Sequence, residues 1–177
     1  DVLLHIELSI KALIQKFSTL DSRIVFFFDE PALVIYSSYQ GLQYRLFERI
    51  LKAARYLQEK NIQVGLHCCA NILCEQVLAY PQLFNYLSFD VNASLHSLLD
   101  LKEELTYFCK YSNLSFGIIP TDHQHKSKYD PKLTSILKNI ALSKNSTQFI
   151  SAACGLAHQS LADTEEVFRC LNMEKTI

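Results

Sequence analysis

This chain contains few glycines and almost no net charge, and each of these two features argues against a class of function. Only four glycines occur, and no apolar segment is followed by a glycine-rich phosphate loop. This argues against a nucleotide-binding Rossmann domain. The formal net charge is −1, and Lys and Arg form no cluster. We therefore expect no nucleic-acid partner.

Long hydrophobic runs and a dense cysteine framework are also missing. The longest wholly apolar stretches, such as Ile24 to Phe28, are far shorter than the roughly 20 residues of a membrane span. No signal peptide is recognisable at the start. Six cysteines are unevenly spaced, unlike those of a secreted disulfide scaffold. The sequence predicts one globular domain over residues 1–177, in the cytoplasm and without membrane contact.

Helical patterns alternate with short apolar segments along the chain. The predicted strands end near residues 29, 67, 90, 120 and 153, and a helical pattern follows each of them. Near-continuous apolar strands separated by helices indicate an α/β fold with a parallel sheet. The spacing fits βα units of a barrel or of a doubly wound sheet. Polar and metal-capable residues cluster where the strands end, which is where α/β barrels carry their active sites.

The chain is short for a closed barrel. A TIM (β/α)8 barrel takes about 250 residues, whereas this sequence predicts five strands in 177 residues. We therefore expect the C-terminal five strands of such a barrel. Its outer strands would then need a partner chain or a second copy to cover their edges.

The most informative segment is His67-Cys68-Cys69, at the end of the apolar run from Ile62 to Leu66. Alternate side chains of a strand point to opposite faces, so His67 and Cys69 are expected to share a face while Cys68 takes the other. An imidazole and a thiolate side by side make half of a tetrahedral zinc site. Cys154, at the end of the fifth predicted strand, is the candidate for a further ligand.

Several segments together resemble the catalytic barrel of cobalamin-independent methionine synthase, in the superfamily that includes uroporphyrinogen decarboxylase. The matching pieces appear in family order and cover about Ile24 to Leu156; they are Phe28-Asp29-Glu30-Pro31-Ala32-Leu33, Gly65-Leu66-His67-Cys68-Cys69, Ser88-Phe89-Asp90, Gly117-Ile118-Ile119-Pro120-Thr121 and Cys154-Gly155-Leu156. The folate-binding half and the first part of the barrel have no counterpart in these pieces.

The resemblance implies a set of site residues. The zinc ligands would be His67, Cys69 and Cys154, with Asp90 at the position of a family glutamate that is one methylene longer. Asp29 corresponds to the aspartate that binds the amino group of homocysteine. The family's proton-donating histidine has no clean match, and Asp122 and His123 are nearest to its place.

The implied activity is zinc-dependent methyl transfer to a small thiol amino acid, as in methionine biosynthesis, with a folate or a corrinoid protein as the methyl donor. Two thiolates and a carboxylate outweigh the charge of Zn²⁺ and leave electron density on a bound substrate sulfur. This ligand set favours alkyl transfer over hydrolysis, for which a histidine-rich site is better suited.

Two other functions remain open. The chain could be a non-catalytic barrel remnant that retains the metal ligands, and its short length favours this hypothesis. It could instead be a decarboxylase of the same superfamily, although that activity gives His67, Cys69 and Cys154 no role. Metal content distinguishes the decarboxylase from the other two, and methyl transfer distinguishes the enzyme from the remnant.

Overall fold

The structure is a computed structural model that describes residues 2–17, 24–29, 40–69, 74–121, 148–156 and 159–174. Helices and strands follow one another in these ranges, with two consecutive helices between the third and fourth strands. The helices are α1 (Val2–Phe17), α2 (Gln40–Glu59), α3 (Cys74–Leu78), α4 (Val91–Asp100), α5 (Lys102–Phe108) and α6 (Leu161–Glu174). The strands are β1 (Val25–Asp29), β2 (Gln63–Cys68), β3 (Tyr86–Asp90), β4 (Asn113–Ile119) and β5 (Gln148–Ala152).

The strands form one five-stranded sheet in which every neighbouring pair is parallel. Their spatial order is β1-β2-β3-β4-β5, the same as their order in the sequence. The predicted α/β architecture is therefore confirmed. Over the described strands the order never reverses, so the switch point of a doubly wound sheet is not found there. Barrel closure is not found there either, and β1 and β5 are the outer strands.

One face of the sheet is packed under helices. Val64, Leu66 and Cys68 alternate along β2 and are fully buried, and Leu57 of α2 is equally inaccessible. These residues belong to one continuous core that also includes the buried positions of β3 and β4. Complete burial of an aliphatic side chain of this size contributes about 1.5–3 kcal/mol, so this face holds the helices against the sheet.

The other face carries polar and aromatic side chains. Ser88, Ser115 and Ser151 occupy neighbouring strands, and the hydroxyl of Ser115 donates to that of Ser151 at 3.1 Å. Towards the amino ends of the strands lie Phe27 and Phe149, which are 43% and 42% exposed. In the described part of the chain, this face therefore carries polar and partly exposed side chains and is not covered by helices.

One helical boundary differs from the expectation. The apolar spacing predicts a helix from Leu95 to Tyr111, but α4 begins at Val91, directly after β3, and Leu101 separates it from α5. The reason is a cap: the Asp90 carboxylate accepts a hydrogen bond from the Asn92 backbone N–H at 2.8 Å, which satisfies a donor in the first turn. The sequence also predicts a helix that begins at Pro131, and this segment lies outside the described residues.

Candidate metal centre

The carboxyl ends of β1 and β2 place Asp29 beside His67. These two residues are partners in the parallel register, so their side chains leave the same face of the sheet. Cys68 follows His67 but is fully buried on the helix-covered face, whereas His67 and Cys69 are both half-buried. The strand alternation predicted for this segment is therefore confirmed.

The central feature of this end of the sheet is a cluster of three metal-capable side chains. His67, Cys69 and Cys154 each offer one ligand atom, and these three atoms lie within 4.8 Å of one another. All three side chains are half-buried. The tertiary structure thus brings together the two strand ends that sequence reasoning paired.

Bringing Cys154 to this place requires the chain to reach across two strands. The ends of β2 and β5 are separated by two intervening strands, which in a flat sheet corresponds to about 14 Å. The side chains after these strands nevertheless approach within 4.8 Å. The backbone after the strands and the side chains themselves must therefore reach across the polar face to close this distance.

Gly117 makes the approach of β5 to β4 possible. A Cβ at this position would lie 2.7 Å from the Ala153 Cα and 2.8 Å from the Phe89 carbonyl oxygen, well inside ordinary carbon contact distances of about 3.5–4.0 Å. The Ala153 backbone N–H also donates to the Ile119 carbonyl at 2.9 Å. Because Ala153 directly precedes Cys154, these two contacts fix where the thiol emerges.

The His67 imidazole is oriented from β3. Its Nδ1 lies 2.9 Å from the Ser88 hydroxyl oxygen, and His67 and Ser88 are register partners on β2 and β3. Burial lowers the pKa of His67, and the nearby carboxylates of Asp29 and Asp90 partly oppose this effect. The balance favours a neutral imidazole, which is the form that binds metals.

The thiol of Cys69 is held in its protonated form in the metal-free protein. Burial, a hydrogen bond with Cys154 and the charge of Asp29 raise the pKa of Cys69 to about 11. A positive ion at this position would reverse these effects, because a coordinating thiol gives up its proton. A cation at this position would therefore favour the thiolate form of Cys69.

Asp29 and Asp90 flank this cluster at different positions. Asp29 is exposed at the end of β1 and close enough to act electrostatically on His67 and Cys69. Asp90 acts on His67 in the same way, but its carboxylate also caps α4. Among the described residues, the cluster within 4.8 Å comprises His67, Cys69 and Cys154 without either aspartate.

The donor set suits a metal ion with soft, tetrahedral preferences. Two thiolates and an imidazole are typical ligands of zinc. In a tetrahedral zinc site two sulfur ligands lie about 3.8 Å apart, as follows from Zn–S bonds of about 2.3 Å. The separations in the cluster, at most 4.8 Å, need little adjustment to reach this geometry. Three described ligands leave a fourth coordination position.

The remaining candidates are the predicted catalytic pair and the other cysteines. Asp122 and His123, the predicted catalytic pair, lie outside the described residues. All six cysteines are thiols rather than disulfide partners. Cys74 and Cys109 are buried in the core, as expected for structural cysteines, and burial raises the pKa of each to about 11.

Sequence reasoning missed two residues that build the site. Ser88 and Gly117 both belong to segments that match the family, but the sequence assigns no role to either residue. The contact of Ser88 with His67 depends on the register between β2 and β3, and the role of Gly117 depends on how closely β5 approaches. Neither the strand register nor the approach of β5 can be read from a local sequence pattern. One signal was present: Ser88 lies two residues before Asp90, so strand alternation places both on the same face.

Comparisons with known proteins add no identification. No family model matches the chain, and neither a curated protein nor a solved structure shows significant similarity to it. None of the helices in the described ranges is sufficiently long and apolar to cross a membrane. Function is therefore inferred from the chemistry of the site and from the segments that surround it.

Proposed function

We propose that this chain carries a zinc site that activates a small thiol amino acid, of the homocysteine type, for methylation at sulfur. The observation that carries the proposal is the convergence of His67, Cys69 and Cys154 within 4.8 Å. The resemblance of the surrounding segments to cobalamin-independent methionine synthase supports the choice of reaction.

The chemistry needs a thiolate at neutral pH. A free thiol with a pKa of about 8.5 is only about 3% ionised at pH 7. Bound zinc would act as a Lewis acid that holds the substrate sulfur as a thiolate. His67, Cys69 and Cys154 would occupy three positions of the ion and leave the fourth to the substrate, the arrangement typical of catalytic rather than structural zinc.

Asp29 is suited to bind the rest of the substrate. It is exposed at the end of β1, next to His67 in register, and carries a negative charge beside the proposed sulfur position. A carboxylate there would hold the ammonium group of an amino acid by a charge-assisted hydrogen bond. The substrate would then span from the zinc to Asp29. Asp90 is a candidate ligand at the fourth position, which the substrate would take by displacing it.

The aromatic residues of the polar face support the interpretation as part of a barrel. Aromatic rings from alternate strands meet on this face: Phe27 of β1 lies 6.0 Å from Tyr86 of β3, and Tyr86 lies 5.8 Å from Phe149 of β5. Barrel interiors are filled by such layers from alternate strands. We therefore propose that β1 to β5 are consecutive strands of a TIM-type barrel.

The test uses zinc loading and a donor that requires no partner protein. We expect about one zinc per chain in the wild type and loss of this zinc in Cys154→Ser, with Cys170→Ser as the matched control. Homocysteine should add a sulfur ligand detectable by X-ray absorption at the zinc edge. With methyl iodide, the new S–CH3 bond should form as iodide leaves and the thiol proton passes to solvent, faster with wild type than with Cys154→Ser.

Zinc binding without a new sulfur ligand would contradict the enzymatic proposal and favour the second candidate, a metal-binding remnant. A wild type that folds but binds no zinc would contradict both.

A further inference from the structure

We propose that Ser88 is a positioning residue of the metal centre: its hydroxyl engages Nδ1 of His67, so that Nε2 is the nitrogen offered to the metal. This inference depends on the proposed metal site and adds a residue to which neither motif nor resemblance assigned a role. It rests on the 2.9 Å separation of the Ser88 Oγ and the His67 Nδ1.

The two ring nitrogens of histidine are chemically distinct, and the partner of one decides the use of the other. A metal-binding histidine usually donates its second N–H to an oxygen atom, which fixes both the tautomer and the ring plane. With Nδ1 protonated and donating to the Ser88 oxygen, the lone pair of Nε2 is available for a cation. The Ser88 hydroxyl can serve as this acceptor.

The position of Ser88 suits a fixed orienting group. It is only 6% exposed and lies in the middle of β3, in register with His67 on the adjacent strand. Parallel strands flank β3 on both sides: β2 on one side, and β4 on the other, which pairs with β3 over its whole length. The hydroxyl is thus attached to one of the least displaceable parts of the sheet, as precise ligand placement requires.

The neighbouring serine provides a matched control. Ser115 is the register partner of Ser88 on β4, so it leaves the same face of the sheet. Its hydroxyl donates to Ser151 at 3.1 Å rather than to His67. Ser115→Ala therefore removes a hydroxyl and a hydrogen bond of the same kind one strand away from the imidazole.

The experiment measures zinc affinity by competition with a chromophoric chelator in wild type, Ser88→Ala, Ser88→Thr and Ser115→Ala. Loss of a group that orients a metal-binding histidine typically weakens metal binding about 10–100-fold, and we expect this for Ser88→Ala. Ser88→Thr, which keeps the hydroxyl, should recover most of the affinity. Ser115→Ala should remain near the wild type.

A second readout is independent of folding defects in the variants. Long-range proton–nitrogen NMR of zinc-loaded wild type should show a protonated Nδ1 and a metal-bound Nε2 on His67. Metal at Nδ1, or equal zinc affinities of Ser88→Ala and Ser115→Ala, would overturn the inference. Neither readout involves methyl transfer, so the inference can hold even if homocysteine is not the substrate. Absence of zinc binding by the wild type would overturn it together with the metal site.

Discussion

Replacing Gly117 with alanine should open the metal centre without touching a ligand. The added Cβ would lie 2.7 Å from the Ala153 Cα and 2.8 Å from the Phe89 carbonyl oxygen. Both are backbone atoms, so no side chain can turn away to make room. Reaching an ordinary carbon contact of about 3.5–4.0 Å requires displacements of roughly 1 Å. The contact with Phe89 pushes β4 away from β3, and the contact with Ala153 pushes the outer strand β5 away from β4.

The consequence for Cys154 follows from its position in the chain. It directly follows Ala153, so a shift of β5 carries its thiol away from His67 and Cys69. Metal–ligand distances tolerate only about ±0.2 Å, so a displacement of roughly 1 Å should weaken zinc binding strongly. Overpacking of this kind also typically costs about 1–3 kcal/mol of unfolding free energy.

The assay combines zinc competition with urea unfolding of the metal-free protein. Gly155→Ala is the matched control, because a Cβ at Gly155 meets no atom within 4 Å although the residue is adjacent to Cys154. We expect Gly117→Ala to lose both zinc affinity and stability, and Gly155→Ala to lose neither. If Gly117→Ala bound zinc as tightly as the wild type, the close approach of β5 would not be what places Cys154.

Two further predictions concern charge and protonation. Asp90→Asn should preserve the α4 cap, since Asn and Asp are equivalent at that position, whereas Asp90→Ala should cost about 1 kcal/mol. Asp90→Asn should also weaken zinc binding, because it removes a negative charge that acts on His67, and unchanged binding would limit Asp90 to capping. In the metal-free protein, the lowered pKa of His67 means that the unfolded chain binds more protons just below pH 6.5, so the unfolding free energy should fall on acidification. The pKa of buried Cys109 is raised from 9.0 to about 11, so its contribution is complete below pH 9 and is lost as the pH rises towards 11. Urea unfolding from pH 5 to 11 measures both limbs; Cys109→Ala should reduce the alkaline loss, and an equal loss in that variant would contradict this assignment.

The positions of the elements were predictable because local physics determines them. Apolar alternation and helical spacing predict β2 and α1 nearly to the residue, and the scarcity of glycine argues against a phosphate-binding loop. The start of α4 was not found in this way, because the Asp90 cap depends on one hydrogen bond to Asn92 rather than on the apolar pattern that predicted a start at Leu95.

That His67 and Cys69 share a face follows from the amino-acid sequence alone, since strand alternation is a property of the backbone. The sequence nominates Cys154 as a further ligand, but its distance from His67 and Cys69 depends on the fold, because it is set by the pairing of four adjacent strands and by the contact that Gly117 permits. The partnership of Ser88 with His67 likewise depends on the register between two strands. Long-range register and the approach of distant strand ends arise from the packing of the whole sheet, and no local segment encodes them.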